Sequence, residues 1–131
     1  MNALATALYV LVGIVNLLPA SGALSTHRLQ SFYGISLVDP NLIILMRHRA
    51  VLFGVIGALL IAAAFHRPFR TIAMFAGLLS MSSFVLIAYT VGAFNAELGR
   101  VVFVDLVASL LLIGAGLTAA WSNSRGARKD A

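Results

Sequence analysis

The sequence predicts an all-α fold, an integral membrane four-helix bundle, on three observations. Hydrophobic residues make up 61% of the chain and charged residues only 10%, with a mean hydropathy of +1.01. Soluble domains carry roughly 25% charged and about 45–50% apolar residues, so a water-exposed surface cannot be assembled from this composition. Four apolar stretches come close to or exceed the roughly 20 residues that a bilayer core of about 30 Å asks of a helix. The polar side chains within them are few, and they gather toward one end.

The first stretch runs from about Ala3 to Leu18 and is expected to stop at Pro19. Ser21-Gly22-Ala23 would pass as a signal-peptide cleavage site, but no Lys or Arg precedes the apolar run, so the span is read as retained. Residues 20–39 form the only long connection. Its mixture of Ser, Gly, His27, Arg28 and Tyr33 reads as an ordered outer loop carrying a short helix. The second span begins near Pro40 and continues through Ala64. Asp39 can accept free backbone N–H groups as an N-cap, and Pro40 at the first helical position gives up no hydrogen bond. The third span covers Thr71 to about Phe94 and the fourth Val101 to Trp121. Residues 1–121 therefore form a single transmembrane domain, and the basic tail 122–131 is expected to fray.

Small residues recur at interval four, as in Gly54 and Ala58, Ala73 and Gly77, Ala115 and Ala119. Such spacing lets helices approach closely where lipid supplies no hydrophobic drive between them, either within one chain or in a homo-oligomer. Val12 to Asn16 also aligns with Val91 to Asn95, and Arg49 to Gly54 with Arg100 to Asp105. Two parallel copies of a helical hairpin would produce this pattern, as would chance similarity among apolar helices.

Orientation follows the cations of the short loops. Arg67, Arg70, Arg125, Arg128 and Lys129 fall on one side, and Arg28, Arg47, Arg49 and Arg100 on the other. The five-to-four bias places both termini in the cytoplasm.

Several function classes are excluded. The nine Lys and Arg outnumber the four acids, giving a formal charge of +5. They are dispersed among apolar stretches and form no stripe that could follow a phosphate backbone, which argues against nucleic-acid binding. Without Cys there is no disulfide, thiolate zinc site, iron–sulfur cluster or Cys nucleophile. His27, His48 and His66 are too dispersed to hold a metal or haem. No HExxH, GxSxG, P-loop or dinucleotide fingerprint is present.

Polar groups in hydrocarbon are costly, so their placement is informative. Asn16, Arg47, His48, Arg49, Tyr89, Asn95, Glu97, Arg100 and Asp105 all fall toward the outer leaflet, which implies a polar site opening outward. Arg47, His48 and Arg49 spread over about 200° of helix circumference, so they cannot all face the bundle interior. They are either headgroup anchors or include a ligand-binding arginine. Asp105, about one turn inside the fourth span, calls for a cationic partner, with Arg49 or Arg47 from the parallel second span the first candidates and Arg100 the next. That pair is either a structural lock or the floor of a site that exchanges a proton. Glu97 and Arg100, three apart, can pair at the surface. Asn16 and Asn95 cap helix ends or offer amide hydrogen bonds to a ligand.

The run Tyr33-Gly34-Ile35, then Asp39-Pro40-Asn41-Leu42 leading into Leu45-Met46-Arg47-His48-Arg49-Ala50-Val51-Leu52-Phe53-Gly54, resembles a family of small bacterial four-span membrane proteins. Val91-Gly92 through Asn95 to Arg100 and Asp105 extends the resemblance over nearly the whole chain. Members are sometimes labelled phosphopantetheine adenylyltransferase, a chemistry that calls for a His-x-Gly-His nucleotide site and an α/β domain, neither of which this sequence offers. In architecture the chain is also similar to the DoxX-like four-helix membrane proteins, some of which are associated with quinone or thiol redox complexes.

The expectation is therefore a bacterial inner-membrane protein whose outer site binds an amphipathic molecule such as a quinone, an isoprenoid or a lipid headgroup. Arg47, Arg49 and Arg100 would supply positive charge, Asn16 and Asn95 orientation, and Asp105 or His48 acid–base chemistry. No cofactor is specified. The rival is a non-catalytic accessory subunit of a larger membrane complex.

Overall fold

The structure is a computed structural model and describes residues 3–127. It is all-α. Helix α1 (Ala3–Ala20) leads through a 3₁₀ turn (Ser21–Ala23) into the short α2 (Thr26–Tyr33), followed by α3 (Pro40–Phe65), a second 3₁₀ turn (Arg67–Phe69), α4 (Arg70–Val91) and α5 (Ala96–Ala127). Four segments, Ala3–Ala23, Pro40–Phe65, Arg67–Val91 and Ala96–Trp121, are long and apolar enough to cross a membrane.

The helix ends show which local signals act. Pro19 does not stop α1, which runs through it to Ala20. A proline in the last turn forfeits only its own N–H, and its fixed φ suits the helix. Ser21 Oγ then donates to the Leu18 carbonyl at 3.0 Å. The second helix opens with the Ser25 hydroxyl accepting from the Arg28 N–H. It closes at Gly34, whose φ of 61° is the left-handed conformation glycine adopts without steric cost. Asp39 Oδ1 accepts the Asn41 N–H at 2.9 Å ahead of Pro40, so α3 starts with the cap its sequence encodes. The fifth helix continues past Trp121 to Ala127, six residues beyond the expected end of order. Arg128 and Lys129 of the basic tail lie outside the described residues.

In the bundle α1 packs against α3 and α5, and α4 packs against the same two, so α1 and α4 are diagonal, as are α3 and α5. The closest crossing is between α1 and α3. A Cβ on Gly13 would stand 2.9 Å from the Gly57 carbonyl, and one on Gly57 2.7 Å from the Gly13 carbonyl, so two backbones touch where only glycine fits. Of the expected small-residue contacts, Ala73, Gly77 and Ala115 are buried in the bundle. Ala58 is exposed and does not help the packing.

Two hairpins, α1 with α3 and α4 with α5, are present, but the aligned asparagines are not equivalent. Asn16 is buried inside α1, whereas Asn95 lies beyond the end of α4. The inner core is built around Tyr9, Leu60, Met81, Leu112 and Ala115, all 2% exposed or less. A smaller cluster of Leu29, Tyr33, Leu37 and Ala50 seats α2 on the end of the bundle that carries the α4–α5 turn, called the outer end after the orientation expected from the cations. Large apolar residues such as Phe75, Leu86, Phe103 and Leu117 remain exposed on the outer faces of the helices, where a bilayer would cover them.

Candidate functional site

Two polar side chains inside the apolar bundle carry the site. Asn16 is 3% exposed, and its amide nitrogen donates to the Val12 carbonyl at 2.9 Å and lies 3.8 Å from Met81 Sδ on α4. Asp105 is 6% exposed, and Ser109 Oγ donates to its backbone carbonyl at 2.7 Å. Asn16 Oδ1 and Asp105 Oδ2 are both buried with no hydrogen-bond partner. Unpaired buried oxygens are rare and costly in folded proteins, and more so away from water.

Both residues line one recess of about 270 Å³ between α1, α2, α3 and α5. Val15, Pro19, Phe53 and Val104 wall it, while the partly buried Glu97 and the exposed Arg100 stand on α5 nearer its outer end. Pro19 has no N–H to offer the Val15 carbonyl four residues earlier, and both residues line the recess. A second hollow of about 160 Å³ lies along the α1/α5 seam. It is lined wholly by apolar residues, and it shares Val15 and Val104 with the recess.

The other candidate residues go elsewhere. Arg49 is the cation whose charge reaches Asp105, yet it lines a separate groove of about 400 Å³ between α3 and α4. Its guanidinium carbon stands 4.3 Å from the Phe84 ring centre, 5.1 Å from Phe53 and 5.3 Å from Tyr33, an aromatic cage that holds the charge by cation–π attraction. Of the cations expected to partner Asp105, Arg49 is thus the one whose charge reaches it, through space and without a hydrogen bond to Oδ2. Phe53 lines both hollows.

Arg47 is not a recess residue. Its Nε donates to the Ala23 carbonyl at 2.7 Å, tying α3 to the first 3₁₀ turn. His48, one residue and 100° further around the helix, is exposed and lines no part of the recess, so its expected acid–base role there is not supported by position. Asn95 is the N-cap of α5. Its Oδ1 accepts the Leu98 N–H at 2.8 Å, and its amide donates to the carbonyls of Tyr33 and Gly34 at 2.8 and 3.0 Å, which uses up the groups expected to orient a ligand.

The reading from sequence missed the Arg49 cage and the role of Pro19. Arg49 and Phe53 stand four apart and share a helix face, a signal visible in the sequence. Phe84 comes from α4, and only the fold brings it in. Burial pushes the Tyr33 phenol above its ordinary pKa. The Arg49 guanidinium acts against that rise, and the Asp105 carboxyl adds to it. Among the described residues no three His, Asp or Glu side chains gather as a metal site would require.

No protein-family model, curated protein or solved structure matches the chain.

Proposed function

We propose that this multi-pass protein resides in a bacterial inner membrane with both termini cytoplasmic, and that it binds an amphipathic small molecule at the outer end of the bundle. A quinone, an isoprenoid or a lipid has the required form. The observation that carries this reading is the adjacency of the two hollows. A recess holding two buried side-chain oxygens without partners shares Val15 and Val104 with an apolar hollow on the seam of α1 and α5. A polar head fits the first and a hydrocarbon tail the second. Acid–base chemistry, if the site turns over, falls to Asp105, the buried carboxyl of the recess.

Mass spectrometry of small molecules retained by the purified protein tests the reading. A specific amphiphile should be carried by the wild type and by Leu86→Trp, altered on an exposed face of α4, and be lost from Val104→Trp, which fills the junction. Equal retention by all three proteins, or by none, would remove the proposal.

The alternative is a non-catalytic accessory subunit that works as a homo-oligomer or within a larger membrane complex. It draws support from Arg47 and Asn95, which tie segments together instead of facing the recess.

A further inference from the structure

The polar character of the recess is opposite to the one that the cation-rich sequence suggests. At its buried end are Asn16, whose amide nitrogen is already bonded while its oxygen is free, and Asp105, whose Oδ2 is free. Both free oxygens accept hydrogen bonds. The donors that could have answered them do not line the recess: Arg47 Nε bonds the Ala23 carbonyl, Asn95 bonds those of Tyr33 and Gly34, and Arg49, whose charge still reaches Asp105, lies in its aromatic cage along the separate α3/α4 groove. Ser31 and Arg100 also line the recess, but both are exposed, and Arg100 stands five residues, about 7.5 Å along α5, before Asp105. Glu97, three residues earlier still, adds a carboxylate on the same side.

We infer that the recess selects an amphiphile whose head donates hydrogen bonds, a hydroxyl or an ammonium group, and discriminates against anionic and acceptor-only heads. The inference rests on the binding reading above and narrows it. An ammonium seated between Asn16 and Asp105 can donate to both buried oxygens, and a hydroxyl, with its single O–H, to one of them. A phosphate or ester head placed there would leave them unpaired and would set its own oxygens against theirs. Restoring a partner to one such oxygen is worth about tenfold in affinity.

The test uses the full-length protein in phosphatidylcholine nanodiscs and probes sharing one dodecyl tail. Dodecan-1-ol and dodecylammonium are the donors, dodecyl methyl ether is the acceptor-only head, and dodecanesulfonate is the acceptor-only anion. Affinity is read from the rise in Tm with probe mole fraction in the bilayer. At least one donor should bind about tenfold or more tightly than the ether, with the sulfonate weakest. The better of the two donors identifies the source as a hydroxyl lipid or an ammonium amphiphile.

In Asn16→Leu and in Asp105→Asn the donor-to-ether ratio should fall toward one, and either variant suffices should the other fail to fold. Ether or sulfonate binding as tight as the alcohol, and still abolished by Val104→Trp, would overturn the donor rule while leaving the binding site standing. If no probe distinguishes wild type from Val104→Trp, the site itself falls.

Discussion

The two ends of the bundle treat their polar groups in opposite ways. At the inner end Arg70 donates from Nε to the Ala63 carbonyl at 3.1 Å and from Nη2 to the Ala64 carbonyl at 3.2 Å, covering the open carbonyls of the last turn of α3. Tyr9 in turn gives its hydroxyl to the Arg70 carbonyl at 3.4 Å, and its ring lies 5.9 Å from the guanidinium. A hollow of about 280 Å³ exists there as well, but it is lined by Arg67 and Arg70 next to the exposed turn, and neither of the two orphaned oxygens belongs to it. At the outer end the recess keeps two buried oxygens unpaired. A bundle of this size gains no stability from that arrangement, so the difference separates a region that holds the fold from the one where we propose that a ligand binds.

The largest test of this contrast compares equivalent deletions. Leu112 is fully buried in the inner core, and Leu112→Ala should cost about 2–5 kcal/mol in SDS-titration unfolding. Val104, 42% exposed on the recess wall, should cost less than about 1 kcal/mol as Val104→Ala. Equal costs would mean that the outer end is as tightly packed as the inner, leaving no recess to fill. A polar pair of variants comes next. Arg70→Met strips two charge-assisted hydrogen bonds from α3 and should lower stability by about 1–2 kcal/mol. Asp105→Asn removes a carboxyl whose Oδ2 bonds to nothing, and should change stability by less than about half that amount. A larger loss from Asp105→Asn would show that Asp105 is a lock after all.

What the sequence disclosed follows the same division. The four spans were legible because lipid demands long apolar runs, and the Asp39-Pro40 start of α3 because a cap is a local signal. Asn16 and Asp105 could be picked out as polar groups among apolar neighbours. Which cations would join them could not, because that depends on how each helix is rotated and on what backbone lies opposite. Arg47 found the Ala23 carbonyl and Asn95 found Tyr33 and Gly34, contacts across 24, 62 and 61 residues that no periodicity reveals. The Gly13–Gly57 crossing escaped for a related reason, since a glycine at a backbone contact looks the same in sequence as Gly114, which has nothing within 4 Å.

The ends also differ in backbone strain. Between α4 and α5, at the outer end, Ala93 has a φ of 50°, the sole positive φ on a non-glycine residue among the described residues, and it follows Gly92 at 69°. The inner turn at Arg67–Phe69 is an ordinary 3₁₀ turn that contains a proline. Left-handed backbone costs a residue with a Cβ roughly 1–2 kcal/mol, part of which a glycine returns as extra freedom of the unfolded chain. Ala93→Gly should therefore stabilise the protein by about 0.5–1 kcal/mol in the same unfolding assay. Destabilisation would show that the alanine methyl group makes a contact worth more than the strain.

The smallest effect concerns Tyr33, where the outer cluster meets Arg49 and Asp105. Burial holds its phenol above the ordinary value of about 10, with Arg49 resisting the rise and Asp105 adding to it. The unfolded chain then loses this proton before the folded one does. Its contribution to stability is complete below about pH 10 and is lost as pH climbs through the raised folded value. The wild type should melt progressively earlier above pH 10, and Tyr33→Phe should flatten that part of the curve. Arg49→Met should steepen it, because the cation that moderates the rise is gone. Parallel curves for wild type and Tyr33→Phe up to pH 11 would place the phenol in water, and α2 would no longer be the cover over the outer end that sets it apart from the inner.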